Sequence, residues 1–232
     1  MADVAAILPA AGRSMRFGGG RDKLFEPLGG RPVIAHSVAA LLAQSEVGLV
    51  VLATNQRERI EPALVDTTGR LDPRITFCPG GASRAESVLA ALRLVPGTFN
   101  CVAVHDAARP LVSRELIQRT IAAARQYGAA VPALPIALTV KQAQGPLPAR
   151  VERTIPRHAI WAMQTPQVMR RADLLAAYEA CPLPLGEVTD DAQLLELAGR
   201  EVWLVEGEER NLKVTTAADL RLAELWLAGD PR

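Results

Sequence analysis

Residues 9–12, with the sequence Pro-Ala-Ala-Gly, begin a segment whose residue types suit phosphate binding. Arg16 and Lys23 follow within a glycine-rich stretch. Small residues let the backbone approach a ligand closely, and successive peptide N–H groups can bind phosphate oxygens. The segment is neither a P-loop nor a dinucleotide-binding fingerprint, because its glycines and its lysine have the wrong spacing. Taken alone, it is equally compatible with a solvated surface loop.

A second candidate anion site is the loop at residues 80–87, which leads into a predicted helix. Helix N-termini offer free N–H groups and attract anions. Ser83 and Glu86 also have the spacing of a capping box. The loop therefore predicts a capped helix start, which can also face a phosphate.

Ionisable side chains lie next to, or within, two further apolar segments. Asp106 and Arg109 come directly after residues 101–104, where Asp106 could hold a divalent cation or substrate hydroxyls and Arg109 could bind a phosphate. An Asp and an Arg three residues apart also form ordinary structural ion pairs. Lys213 lies in the apolar segment 212–215, a pattern more typical of an exposed or edge-strand lysine than of a ligand.

The histidines and cysteines indicate no metal centre. His36, His105 and His158 lack a metal-binding spacing, and no local Ser-His-Asp arrangement is present. The three cysteines are scattered, as expected of reduced thiols.

Composition limits the class of protein. The 232 residues are 49% hydrophobic and 22% charged, which is typical of a globular chain. The formal net charge of +1 creates no overall attraction to nucleic acid or anionic lipid, so we expect neither as a partner. The N-terminal residues lack the features of a signal peptide, and no apolar stretch has the length of a membrane helix. We therefore expect a cytoplasmic protein.

The elements that must position these side chains form an alternating pattern. Predicted strands cover residues 4–8, 47–53, 75–78, 101–104, 129–134, 160–164, 202–205 and 212–215. Predicted helices cover residues 32–43, 57–65, 83–94, 113–127, 171–179, 189–197 and 217–227, with Thr189 as the cap of the sixth. Apolar strands separated by helices predict an α/β fold with a mostly parallel sheet covered on both faces. Ligands bind such sheets at the carboxyl ends of the strands, so we expect the clusters to share one site.

Residues 136–157 interrupt this pattern. They are rich in proline and glycine and have only weak periodicity. A long excursion from a compact domain is usually a functional loop, an arm or a linker.

Together these stretches resemble the 2-C-methyl-D-erythritol 4-phosphate cytidylyltransferase family over nearly the whole chain. The matching motifs are Pro-Ala-Ala-Gly at 9–12 with the later Arg and Lys, Gly-Gly-x-x-Arg at 80–84, His-Asp-Ala-Ala-Arg-Pro at 105–110, Trp-x-x-Gln-Thr-Pro-Gln at 161–167, Thr-Asp-Asp-Ala at 189–192, and Glu-Gly at 206–207 followed by Asn-Leu-Lys-Val-Thr at 211–215.

The resemblance implies a single Rossmann-like nucleotidyltransferase domain over residues 1–232, built as a three-layer sandwich. It implies an arm, about residues 136–158, that meets a second subunit in a homodimer. The expected reaction transfers CMP from CTP to 2-C-methyl-D-erythritol 4-phosphate, with release of pyrophosphate, in isoprenoid precursor biosynthesis. A Mg²⁺ ion would be held mainly by the CTP phosphates. The second enzymatic domain fused in some relatives is not expected in this chain.

The resemblance also implies roles for single residues. Arg16 and Lys23 would stabilise the transition state, while Lys213 and Arg157 would position the acceptor phosphate, with Arg157 reaching across from the partner chain. The expected CTP-binding residues are Pro9, Ala10, Ala11, Gly12, Gly81, Arg84, Ser87 and Asp106. The expected acceptor-binding residues are Asp106, Arg109, Thr139, Arg157, Thr165 and Lys213.

The sequence departs from the family pattern in three places, and three other functions share parts of that pattern. Ser14 replaces a glycine, Asp22 and Leu24 flank the second cation in place of Pro and Gln, and Leu138 replaces an acidic residue before Thr139. The first two departures keep the cations but alter loop stiffness. The alternative functions are a ribitol 5-phosphate cytidylyltransferase, a catalytically inactive nucleotide-binding regulator, and a nucleotide-sugar pyrophosphorylase acting on another base.

Overall fold

The computed structural model describes residues 2–12, 17 and 21–229. The strands are β1 (Val4–Pro9), β2 (Pro27–Leu28), β3 (Arg31–Pro32), β4 (Val47–Ala53), β5 (Ile75–Cys78), β6 (Cys101–Val104), β7 (Ala129–Pro135), β8 (Val140–Ala143), β9 (Val151–Ile155), β10 (Trp161–Met163), β11 (Gln167–Arg170) and β12 (Trp203–Glu206). The α-helices are α1 (Val33–Leu42), α2 (Arg57–Leu64), α3 (Arg84–Leu92), α4 (Arg114–Tyr127), α5 (Arg171–Glu179), α6 (Asp191–Leu197) and α7 (Ala217–Ala228).

The main sheet has eight strands. Strands β6, β1, β4 and β5 lie side by side and parallel. Strand β7 pairs in parallel with β12 and antiparallel with β10 and β11, and β11 pairs antiparallel with β6. The prediction of an α/β fold with a mostly parallel sheet is therefore confirmed.

Helices pack on both faces of the sheet, which explains why apolar and polar residues do not alternate along its strands. On one face, the strands pack against Ile34 of α1 and Leu116 of α4. On the other face, they pack against Val88 of α3, Leu174 of α5 and Leu194 of α6. Since each central strand is covered twice, nearly every side chain in it is apolar and buried.

One predicted strand is wrong, and one strand of the main sheet was missed. Residues 212–215 form a loop, whose apolar character reflects the packing of Val214 in a small cluster with Ala223 of α7. Strand β11 was missed because it begins with the polar Gln167, which is nevertheless buried at 1% exposure. Its amide is satisfied by loop groups, so a polar residue can occupy a buried strand.

The helix starts mostly follow their predicted caps. Ser83 and Glu86 form the capping box that their spacing predicts, and α4 stops at Gly128, whose φ is +98°. The prediction of Thr189 as the cap of α6 is wrong. Asp190 accepts a hydrogen bond from the Gln193 backbone N–H at 2.9 Å, whereas Thr189 donates to the Gln193 side chain.

The predicted irregular stretch contains a separate two-stranded antiparallel sheet of β8 and β9. Large apolar side chains of this stretch are open to solvent in the single chain; Leu138 is 78% and Leu147 is 90% exposed. In the described part of the chain, no helix has the length and apolarity needed to span a membrane.

Candidate active site

A cavity of about 670 Å³ lies at the carboxyl ends of β1, β4, β5 and β6. Ten of the predicted site residues line it, namely Pro9, Ala10, Ala11, Gly12, Lys23, Gly81, Arg84, Ser87, Asp106 and Lys213. The structure therefore brings together all eight residues predicted to bind the nucleotide and two of the predicted cations. Residues as far apart in sequence as Lys23 and Lys213 face the same space.

Close backbone packing shapes the wall of the cavity. A side chain at Gly80 would place its Cβ only 2.1 Å from the Cβ of Ala11, so the loops after β1 and β5 can approach only because residue 80 is glycine. Ser87 then fixes the second loop, since its hydroxyl accepts a hydrogen bond from the Gly81 N–H at 3.0 Å and donates to the Ser83 carbonyl at 2.9 Å. These contacts keep the small residues at the ligand-facing surface.

Asp106 is the centre of a cluster of charges. Its carboxylate lies 2.9 Å from Lys213 Nζ, 3.3 Å from Arg109 Nε and 3.5 Å from Arg84 Nε. Burial opposes ionisation of Asp106, but attraction to Lys213, Arg84 and Arg109 outweighs it and holds the pKa well below its usual range. Asp106 is therefore a carboxylate throughout the physiological pH range.

Arg84 links this cluster to α6. Its Nη1 lies 2.8 Å from Asp191 Oδ2, and the Tyr178 hydroxyl donates to Asp191 Oδ1 at 3.1 Å. Burial alone would lower the pKa of Arg84, but Asp191 and Asp106 raise it above its usual value. Within the described part of the chain, the ion pairs of Arg84, Arg109 and Lys213 involve only these two carboxylates, so the cluster carries an excess of positive charge before Lys23 is added.

Arg109 acts mainly as a brace. Its guanidinium donates to the Asn211 carbonyl at 2.6 Å and to the Met163 carbonyl at 3.4 Å, besides pairing with Asp106. The side chain is 8% exposed and does not line the cavity. The structural ion pair expected from the Asp–Arg spacing therefore exists, and it ties the Asp106 turn to the segment that carries Lys213.

Two glutamines that sequence reasoning assigned no role hold the loops around the site. Gln164 donates to the Glu208 carbonyl at 2.7 Å and accepts from the Glu208 N–H at 3.1 Å. Gln167 accepts from the backbone N–H groups of Asp191 and Ala192, both at 3.0 Å. The feature that could have revealed their role is a pair of glutamines, three positions apart, in a segment whose other residues are buried.

The loop of Lys23 is anchored by the residues that depart from the family pattern. Asp22 caps the short 3-10 turn Lys23–Phe25 by accepting from the Leu24 N–H at 3.2 Å. Its other carboxylate oxygen accepts from the Gln56 side chain at 3.1 Å. Leu24 is 5% exposed and packs in the core. This chain therefore fixes its second cation through a cap and an apolar anchor.

Asn55 also lines the cavity and was missed by the sequence analysis. Its side-chain oxygen accepts from the Gly80 N–H at 3.1 Å. It lies two residues beyond the end of β4, so its place near a strand end was the signal that could have found it.

The remaining predicted site residues lie elsewhere. Thr139 and Arg157 are exposed, do not line the cavity, and belong to the segment around β8 and β9; Arg157 donates to the Ala137 carbonyl. Thr165 is buried behind Asp106, whose N–H it accepts at 3.0 Å. Arg16 and Ser14 lie outside the described residues.

A mostly parallel sheet with a basic cavity at the carboxyl ends of its strands defines an α/β protein built for phosphorylated ligands. Residues 4–229 match the family model described as 2-C-methyl-D-erythritol 4-phosphate cytidylyltransferase. The chain belongs to that family.

Individual relatives agree. A 2-C-methyl-D-erythritol 4-phosphate cytidylyltransferase of Frankia casuarinae is 43% identical over 227 residues, which are 97% of this chain and 81% of that protein. The bifunctional enzyme IspD/IspF of Rhodospirillum rubrum is 41% identical over 99% of this chain, which spans only 58% of that enzyme. The crystal structure of a 2-C-methyl-D-erythritol 4-phosphate cytidylyltransferase from Thermus thermophilus has a TM-score of 0.78 at 34% identity, covering 97% of this chain and 99% of that chain.

Proposed function

We propose that this protein transfers CMP from CTP to 2-C-methyl-D-erythritol 4-phosphate and releases pyrophosphate. The observation that carries the proposal is the convergence of Lys23, Arg84 and Lys213 on one cavity that the small-residue loop 9–12 also lines. Family membership supplies the identity of the two substrates. The cavity supplies the chemistry that joins two anions.

The acceptor phosphate needs no general base. A phosphate monoester has a second pKa of about 6, so it is largely a dianion at pH 7 and is already nucleophilic. The obstacle is repulsion between two anions and the charge that builds up on the transferred phosphoryl group. Fixed cations such as Lys23 and Lys213 reduce both by positioning and by electrostatic stabilisation.

The CTP phosphates would lie on the backbone of residues 9–12, with Gly81, Arg84 and Ser87 on the adjoining loop and helix start. The acceptor would lie towards Asp106 and Lys213, with its phosphate held by Lys213 and by Arg157 of a second copy. Thr165 and Arg109 support this side from behind, since both bond directly to the Asp106 residue.

The residues of this site suit Mg²⁺ only as an ion that binds together with the nucleotide phosphates. Among the described residues, no three His, Cys, Asp or Glu side chains group closely enough to hold a metal ion. Of the described residues that line the cavity, Asp106 alone has a carboxylate, and three cations already face it. Mg²⁺ commonly binds through one or two carboxylates together with substrate phosphates. Bound in that way, it would neutralise charge on the triphosphate.

The arm, about residues 136–158, is proposed to complete the site of a second copy in a homodimer. Thr139 and Arg157 lie on it, outside the cavity of their own chain, and its apolar side chains are exposed. A cytoplasmic location is in keeping with Cys78, Cys101 and Cys181, which are all free thiols.

The test is release of pyrophosphate from CTP, ATP, GTP and UTP, each with 2-C-methyl-D-erythritol 4-phosphate and with D-ribitol 5-phosphate. We expect rapid release only with CTP and methylerythritol phosphate. Preference for ribitol phosphate would assign the other acceptor, another preferred nucleotide would indicate a different pyrophosphorylase, and no release with any pair would indicate an inactive binding protein.

A further inference from the structure

His105 is completely buried, lies beside Asp106, and has no part in the chemistry proposed above. Its backbone N–H donates to the Ile7 carbonyl at 2.9 Å, which continues the β6–β1 pairing by one residue. Both ring nitrogens have partners within the site. A buried imidazole with two directed hydrogen bonds is held in one orientation, so its role can be read from the direction of those bonds.

The ring has a single tautomer. Nε2 lies 3.2 Å from the Arg109 carbonyl oxygen, which can only accept, so Nε2 carries the hydrogen. Burial lowers the pKa of His105 to about 4, and the ring is neutral at pH 7 with one N–H only. Nδ1, 3.0 Å from Thr165 Oγ1, is therefore an acceptor, and the Thr165 hydroxyl donates to it.

Thr165 connects His105 to the backbone of Asp106 by a second hydrogen bond. Its Oγ1 also accepts the Asp106 backbone N–H at 3.0 Å. The one hydroxyl hydrogen is thus committed to His105, and Thr165 can offer a substrate hydroxyl only its remaining lone pair. At 5% exposure it has little surface with which to do so.

We propose that His105 is a positioning residue for the acceptor side of the site, because its single tautomer fixes Asp106 through Thr165 and fixes Arg109 through its carbonyl oxygen. The turn from residue 105 to residue 109 is then braced at both ends by one ring. Thr165 acts by holding the Asp106 backbone and not by donating a hydrogen bond to the acceptor. This inference rests on the proposed function, which places the acceptor next to Asp106.

The first test is a double-mutant cycle on the two Michaelis constants. His105→Gln keeps an amide near the Nε2 position but removes the Nδ1 acceptor, and Thr165→Val removes the hydroxyl. We expect each to raise KM for the acceptor by at least about tenfold, with a much smaller change in KM for CTP. His105→Gln loses the buried bond to Thr165, and Thr165→Val loses that bond together with the one from the Asp106 N–H. The double variant should be no worse than Thr165→Val alone, and Thr165→Ser should recover most of the loss.

His36→Gln is the matched control, since His36 Nε2 also bonds to a backbone carbonyl, that of Leu28 at 2.7 Å, but lies away from the cavity. It should leave both Michaelis constants near those of the wild type. Independent, additive effects of the His105 and Thr165 substitutions would overturn the proposal. So would equal increases in KM for the acceptor and for CTP, which a general loss of structure would produce.

A second test does not depend on turnover. The ¹⁵N shifts of the His105 ring in the wild-type protein should show a protonated Nε2 and an unprotonated Nδ1 from pH 6 to 8. A protonated Nδ1, or a mixture of tautomers, would overturn the inference. If the wild type transfers no CMP, the proposed function fails, while these shifts still decide how Thr165 is oriented.

Discussion

Arg84 Nη1 lies 2.8 Å from Asp191 Oδ2, although the two residues are 107 positions apart. The Asp191 side chain is 1% exposed and also accepts from the Tyr178 hydroxyl. The first residue of α6 therefore sets the direction of a guanidinium that faces the nucleotide cavity. Arg84 is oriented before any ligand arrives, which reduces the cost of ordering it on binding.

Asp191→Asn tests that relationship. Removing one charge of a buried pair typically costs about 3–5 kcal/mol, because the other charge stays buried without its partner. We expect a loss near the lower end of that range, since Arg84 keeps Asp106, together with a higher KM for CTP. Urea unfolding and steady-state kinetics measure the two effects. Tyr178→Phe, which removes one hydrogen bond to Asp191, should cost only about 1 kcal/mol; an equal cost for both variants would contradict the charge argument.

Lys23→Ala should lower kcat by roughly 10³-fold, since a cation that stabilises charge on a transferred phosphoryl group is worth about that much. Arg21→Ala is the matched control in the same loop. Arg21 is 60% exposed, pairs with Glu26, and does not line the cavity. Rapid-quench measurement of CMP transfer distinguishes the two. Comparable losses in both variants would mean that the loop needs its shape or its overall charge, and not the amine of Lys23.

Gly80→Ala should separate the two loops that form the nucleotide wall. The new Cβ would lie 2.1 Å from the Cβ of Ala11, so one loop has to move. Overpacking of this kind costs about 1–3 kcal/mol, and KM for CTP should rise with it. Gly97→Ala is the control, because a methyl group at residue 97 would meet no atom within 4 Å. Thermal unfolding should show a lower Tm for Gly80→Ala only, and equal Tm values would refute the close-contact argument.

His105 predicts a pH dependence of stability. Burial, only partly offset by Asp106, lowers the pKa of His105 from 6.5 to about 4. Between these two pH values the imidazole is protonated in the unfolded chain but neutral in the folded protein. The free energy of unfolding should therefore fall as the pH decreases from 6.5 towards 4, by at most about 3 kcal/mol from this residue. Urea unfolding at pH 7, 6 and 5 measures it. His105→Gln should flatten the profile, and parallel profiles for variant and wild type would contradict the assignment.

The sequence predicted the sheet well because its central strands are apolar on both faces. Short apolar segments that alternate with helices are typical of a buried parallel sheet. The clusters after β1, β5 and β6 meet in one cavity because the carboxyl ends of these strands share one edge of the sheet. Position at a strand end was the useful signal, and it also applied to Asn55, which was overlooked.

Polar residues with structural duties were harder to predict. Gln164 and Gln167 are buried because they replace backbone partners for distant loops, and no local pattern shows which loops those are. The same is true of Asp191, whose partner Arg84 is brought near by the sheet. Lys213 was misread as a residue of a strand because Val214, beside it, packs in an apolar cluster.

The most direct test of the whole account is the rate of CMP transfer in Lys213→Ala at saturating CTP and methylerythritol phosphate. Arg221→Ala, an exposed cation on α7, is its control. We predict a loss of roughly 10³-fold for Lys213→Ala, and wild-type turnover for the control. The urea midpoint of Lys213→Ala should fall only modestly, because Asp106 loses its nearest cation but keeps Arg84 and Arg109. Near-normal turnover by Lys213→Ala would show that the cations gathered around this cavity do not drive phosphoryl transfer.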